Sequence, residues 1–204
     1  MQRAELYRQQ DRLDEAVGDL ERALLSTDRT DEELLLCAAG ALALCLCDVN
    51  RPADARRVME DAEDAWSAAE GSWWSLRQRA IEGRIAYGLG ESDPAELVRA
   101  ERLFEDVLEV CRREERPYEA AVAALDLCLV YLAQGRTAEV RRLARETTPI
   151  FRHRSLSRET LAALALVHEA ALAETLTREL ARQVRRDLDR TAERPAATQP
   201  LLDA

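Results

Sequence analysis

The chain has 204 residues, among them 35 Ala, 31 Leu and 29 Arg, but only 14 Val plus Ile and 4% aromatics. Ala, Leu and Arg lose little side-chain freedom in a helix, while a large sheet would lack its preferred β-branched and aromatic residues, so all-β and doubly wound α/β folds are excluded. All 29 basic residues are Arg, which removes lysine Schiff-base and phosphate-loop lysine chemistry, and the formal charge of −10 argues against general nucleic-acid or anionic-membrane binding.

The net charge hides a gradient. Residues 1–135 carry 16 Arg against 29 acids, and residues 136–194 carry 13 Arg against 9, so an acidic body precedes a mildly basic end. The first residues contain no apolar run of the kind a secretory signal needs, which predicts a cytoplasmic protein. The longest uncharged stretch, Leu34 to Cys47, is 14 residues and reads as a helix buried between neighbours rather than a membrane span.

In chain order, apolar periodicity predicts helices over 1–10, 12–26, 31–48, 52–70, 72–89, 94–115, 117–134, 137–154, 157–172 and 174–192. Thr30 with Glu33 and Asp93 with Glu96 have capping-box spacing. Pro52, Pro94 and Pro117 stand where a first helical turn needs no amide hydrogen, Gly135 reads as a helix-ending glycine, and Thr137 as the cap of the next helix. Beyond Arg194, two prolines and no period predict a disordered tail over 194–204, leaving 1–193 as the helical domain.

Alternate helices share a small-large-small register: Ala16, Leu20, Ala23; Ala55, Met59, Ala62; Ala100, Phe104, Val107; and Val140, Ala144, Thr147. Small side chains let helix backbones approach, and the large residue one turn on fills the space between successive pairs. Tyr7 precedes Ala16 by nine residues, as Tyr131 precedes Val140. At these residues the chain resembles the tetratricopeptide repeat family, most closely over Tyr131-Leu-Ala-Gln-Gly135-Arg-Thr-Ala-Glu-Val140 and from Tyr7 to Asp28. Its periods of 39, 45 and 40 exceed the usual 34, the first-helix Trp and Leu-Gly signature is absent, and Asp11 and Asn50 stand where turn glycine is commoner. The stretch from Pro117 to Phe151 also resembles the helical-repeat region of some bacterial regulators, without their DNA-reading unit.

The resemblance implies an all-α, right-handed solenoid of about 4.5–5 antiparallel helix pairs, whose first helices line a concave groove for a protein or peptide partner. Carried over from Tyr7, Tyr87 and Tyr131, the groove residues are Glu5, Arg8 and Gln9, then Gln78 and Glu82, then Asp126. Ile81, Ile85, Val122, Leu125 and Leu129 are further groove positions, which suits an amphipathic helix as partner. The alignment starts two turns into a first helix, which predicts an upstream continuation, a covering partner or self-association through an uncapped N-terminal helix.

Outside the groove, Trp66, Trp73 and Trp74 fall within nine residues around one turn. The adjacent indoles diverge by about 100° on a helix, so Trp73 and Trp74 make either a packed repeat junction or a partner-binding anchor. Arg141, Arg142, Arg145, Arg152, Arg154 and Arg158 form a basic patch near His153, interleaved with Glu139, Glu146 and Glu159. It is a solvated, self-paired face, a seat for an acidic protein, or, on the alternative reading, the nucleic-acid contact of a regulator fragment.

No metal or cofactor is expected: His153 and His168 lack a ligand spacing, and Cys37, Cys45 and Cys47 diverge around their helix. These three together with Cys111 and Cys128, the five cysteines of the chain, read as buried reduced thiols. With no nucleophile motif and seven scattered glycines, the chain reads as a non-catalytic scaffold or sensor module.

Overall fold

The computed structural model describes residues 2–10, 12–28, 31–69, 72–147, 170–171 and 177–192. Among them every regular element is an α-helix and no strand forms. The elements are α1 (Gln2–Gln9), α2 (Leu13–Ser26), α3 (Glu32–Asp48), α4 (Pro52–Asp61), α5 (Glu63–Ala68), α6 (Ser72–Leu89), α7 (Pro94–Arg113), α8 (Pro117–Ala133), α9 (Thr137–Thr147) and α10 (Arg178–Ala192). The helix expected over 157–172 lies outside the described residues apart from positions 170–171, and the tail expected from 194 lies outside them altogether.

The helix expected over 52–70 divides at Ala62, whose φ of −106° and ψ of 10° end α4 and begin α5. Ala55, Met59, Ala62 and Trp66 are all buried and fall on one continuous helical stripe, so hydrophobic periodicity runs through the break without marking it. Two cap assignments also change. Asp31, not Thr30, caps α3, accepting from the Leu34 amide at 3.1 Å. Thr137 is the first residue of α9 rather than its cap, since the Arg136 carbonyl already accepts from Val140 N. Asp93 caps α7 through Ala95 N at 2.9 Å, but Glu96 does not close the box and reaches Arg56 of α4 at 2.6 Å instead.

Four turns are built alike. Arg12 N donates to the Tyr7 carbonyl at 2.9 Å, Arg51 N to Leu46 at 2.7 Å, Arg116 N to Cys111 at 2.9 Å and Arg136 N to Tyr131 at 2.8 Å. Such a six-residue closure satisfies a terminal helix carbonyl and needs a left-handed residue just before the arginine. Asn50 (φ 59°), Glu115 (φ 53°) and Gly135 (φ 72°) supply it in three of the turns. Arg12, Arg51 and Arg136 then pair with the acid three residues on, Glu15, Asp54 and Glu139.

The small-large-small residues are core. All twelve are buried or half-buried, with Phe104 among the largest fully buried side chains. Phe104 packs where α6 has no side chain: a Cβ on Gly83 would meet its ring at 2.8 Å, and one on Gly88 would meet Pro52 of α4 at 2.8 Å. The glycines of α6 are therefore notches that let α7 and α4 close in. Consecutive helices pack on one another along the chain; in addition α3 touches α6, and α6 touches α8. Helix α10 also packs on α8.

Candidate functional site

The surface shared by α3, α6 and α8 carries buried charge. On α3, Asp48 accepts from Arg84 of α6 at 2.5 Å; on α8, Asp126 accepts from Arg185 of α10 at 3.0 Å. Arg185 and Asp126 are only 6% and 4% exposed, a pairing that removes both ions from water and requires close geometry to hold. Nearby, Arg182 of α10 donates to the Tyr87 hydroxyl at 3.2 Å, lies 5.7 Å from that ring and comes within 3.9 Å of Glu91. Ala181 and Val184 are buried beside Arg185 among the described side chains of α10, and Leu180 packs against the core in part. Between α10 and the ends of α3 and α6 a cleft of about 370 Å³ remains, bordered by Cys47, Arg84, Tyr87, Glu91, Arg178 and Arg182.

The groove residues expected from the sequence do not share one face. Gln78 donates to Glu82 at 3.0 Å and Glu82 accepts from Arg99 of α7 at 3.2 Å, beside Arg56 and Met59 of α4, in a separate recess of about 380 Å³. Asp126 lies on the α10 side. The misplacement follows from Tyr87. Arg12 and Arg136 lie 4.5 and 4.6 Å over Tyr7 and Tyr131, each from the turn just after its tyrosine, whereas the cation over Tyr87 comes from α10 and no arginine follows in its own turn. Ile81, Ile85, Leu125 and Leu129 are buried core rather than open groove. The side chains of Glu5, Arg8 and Gln9 lie outside the described residues.

At the tryptophan junction the three rings separate by role. Trp66 is buried and meets half-buried Trp74 edge-on at 6.1 Å, while Trp73 is 39% exposed under the Arg116 guanidinium at 5.3 Å. In the basic patch, Arg142 pairs with Glu146 at 3.6 Å, and Arg145 is exposed. Arg152, Arg154 and Arg158, with both histidines, lie outside the described residues.

The cysteines form no disulfide; Cys45, Cys111 and Cys128 are buried, Cys37 and Cys47 half-buried. Burial raises the Cys47 thiol to about 11 and those of Cys111 and Cys128 to about 12, so at neutral pH they are thiols and not nucleophilic thiolates. Among the described residues no three His, Cys, Asp or Glu side chains gather as metal ligands, and no helix is long and apolar enough to cross a membrane.

Arg84, Arg182 and Arg185 escaped sequence reasoning because their partners are remote along the chain. The signal that was present is the stripe Arg178, Arg182 and Arg186 at i, i+4, i+8, alongside Ala181 and Val184, in the one basic part of an acidic protein. Compared with protein-family models, with curated proteins and with solved structures, the chain matches none.

Proposed function

We propose that the chain is a non-catalytic protein-binding module, a tetratricopeptide-like right-handed stack of helix pairs whose first helices, α3, α6 and α8, present the inner surface to a partner. The serial packing of neighbours, the added α3–α6 and α6–α8 contacts and the recurring arginine turn support this reading. The observation that carries it is the seating of a helix, α10, on α8 of that surface through the Arg185–Asp126 pair and on α6 through Arg182 and Tyr87. A surface that holds one amphipathic helix has the shape and charge to hold another.

Photo-crosslinking in an extract of the native host tests the assignment. A benzophenone amino acid replaces Tyr87 on the inner surface, Glu82 in the other recess or Trp73 at the tryptophan junction. A protein adduct strongest from position 87 supports the inner face; adducts from 82 or 73 with none from 87 overturn it.

A further inference from the structure

The interruption between α4 and α5 has no helix-breaking residue to account for it. Residues 58–66 read Val-Met-Glu-Asp-Ala-Glu-Asp-Ala-Trp, without glycine or proline, and Ala62 at the joint is of the residue type that most favours helix. Ala55, Met59, Ala62 and Trp66 lie buried on one stripe, so a single helix through Ala62 would present the same side chains to the core. The seat of Trp66 is no better reason for a joint. Its indole N–H is buried without a hydrogen-bond partner, which is a cost of the present arrangement.

What sets the joint apart is charge. Glu60, Asp61, Glu63 and Asp64 flank Ala62 on both sides, all four are exposed, and among the described residues no basic group pairs with any of them. Arg56 and Arg99, which line the same recess as Glu60 and Glu63, are engaged elsewhere, Arg56 with Glu96 and Arg99 with Glu82 and Glu96. In an unbroken helix three like-charge pairs would stand one turn apart: 60 with 63, 61 with 64 and 60 with 64. With the joint, Glu63 and Asp64 fall in the first turn of α5, at the positive end of a helix dipole. Against this, one turn of backbone bonds is given up, and Glu60 and Asp61 end α4 at its negative pole. Each of these terms is small, so a change in charge can reverse their sum.

We propose that α4 and α5 form a charge-controlled joint: the four carboxylates hold the helix open at Ala62, and neutralising them joins α4 and α5 into one helix from Pro52 to Ala68. Helix α5 packs on α3, α4 and α6 and carries Trp66 against Trp74. Joining therefore moves the tryptophan junction and reshapes the recess of about 380 Å³ that Glu60 and Glu63 border with Gln78 and Glu82.

The test uses the full chain, isotope-labelled, in solution. Glu60→Gln, Asp61→Asn, Glu63→Gln and Asp64→Asn together remove the charge, change helix propensity little and touch only exposed side chains. In that variant the amides of residues 63–65 should gain about 10-fold or more in protection against hydrogen exchange, because they then bond one turn back. The residual dipolar couplings of the α4 and α5 amides should fit one helix axis, where the unaltered chain needs two, and α7 should be unchanged in both measurements. Two axes in the neutralised chain overturn the proposal. Trp66→Leu with the acids in place, or Trp66→Phe if the smaller side chain does not fold, should keep two axes. A joint that closes there is held open by the indole and not by charge, which overturns the proposal as well. Neither arm involves a partner, so the outcome is independent of the crosslinking result.

Discussion

Helices α2 to α9 and helix α10 are joined to the same body by opposite means. In the former, large apolar side chains enter gaps left by small ones, as Phe104 does at Gly83. In the latter, a helix of fifteen residues with five arginines is seated by Arg185 on Asp126, across a separation of 59 residues. The first mode stabilises by apolar area and close packing and forgives little change in volume. The second pairs two ions out of water, where the cost of desolvating both offsets much of their attraction.

Removing the knob has the largest expected effect. Phe104→Ala should lower unfolding stability by about 3–5 kcal/mol in urea titration, because the cavity lies between α6 and α7, where relaxation is limited. Filling the notch comes next: Gly83→Ala places a methyl 2.8 Å from the ring and should destabilise by about 1–3 kcal/mol. In the Phe104→Ala background most of that loss should vanish, since the two substitutions share one contact. Additive losses would mean that the notch and the knob are not coupled.

The turns give a smaller effect of either sign. Glu115 holds φ 53° with a side chain that the left-handed region disfavours, so Glu115→Gly should raise stability by up to about 1 kcal/mol. Gly135→Ala, at φ 72°, should lower it by about 1 kcal/mol. The seat of α10 should behave unlike all of these. Exchanging both Asp126 and Arg185 for Leu should cost less than removing Phe104, because the attraction of a buried pair is largely offset by the desolvation of its two ions. A larger loss would show that α10 is held as firmly as its neighbours.

Helix positions and the core were legible because periodicity is local. The residues of the small-large-small register are residues that pack, and Pro52, Pro94 and Pro117 open α4, α7 and α8 as their chemistry requires. The break at Ala62 was not legible, since the apolar stripe continues through it. The site was legible in part: Asp126 was found, but its role depends on Arg185, 59 residues away, and no period records such a pairing. Gln78 and Glu82 were assigned to the same groove because Tyr87 was equated with Tyr7 and Tyr131, although no arginine follows it in its turn. The charge gradient was the overlooked clue. The basic end does not stand apart from the acidic body; through Arg182 and Arg185 it folds back on Glu91 and Asp126.

The least perturbing test turns on a third kind of contact, at the far end of the chain. Asp19 of α2 accepts from Arg3 of α1 and from Arg22, and chiefly the Arg3 hydrogen bond holds its carboxyl at about 2, below the ordinary 3.8. A depressed carboxylate contributes its stabilisation in full above the ordinary value and loses it as pH falls toward the folded one. Protection of the α1 amides against hydrogen exchange, read relative to α7, should therefore hold down to about pH 4 and fall between there and pH 2, and Asp19→Asn should abolish that dependence. Arg3 and Arg22 are solvent-exposed, so raising the salt should also weaken the clasp. The same salt should leave the amides of α10 nearly unaffected, because Arg185 and Asp126 meet out of water. If α10 proves as salt-sensitive as α1, its anchor is not the buried pair, and the contrast between the two charged contacts fails.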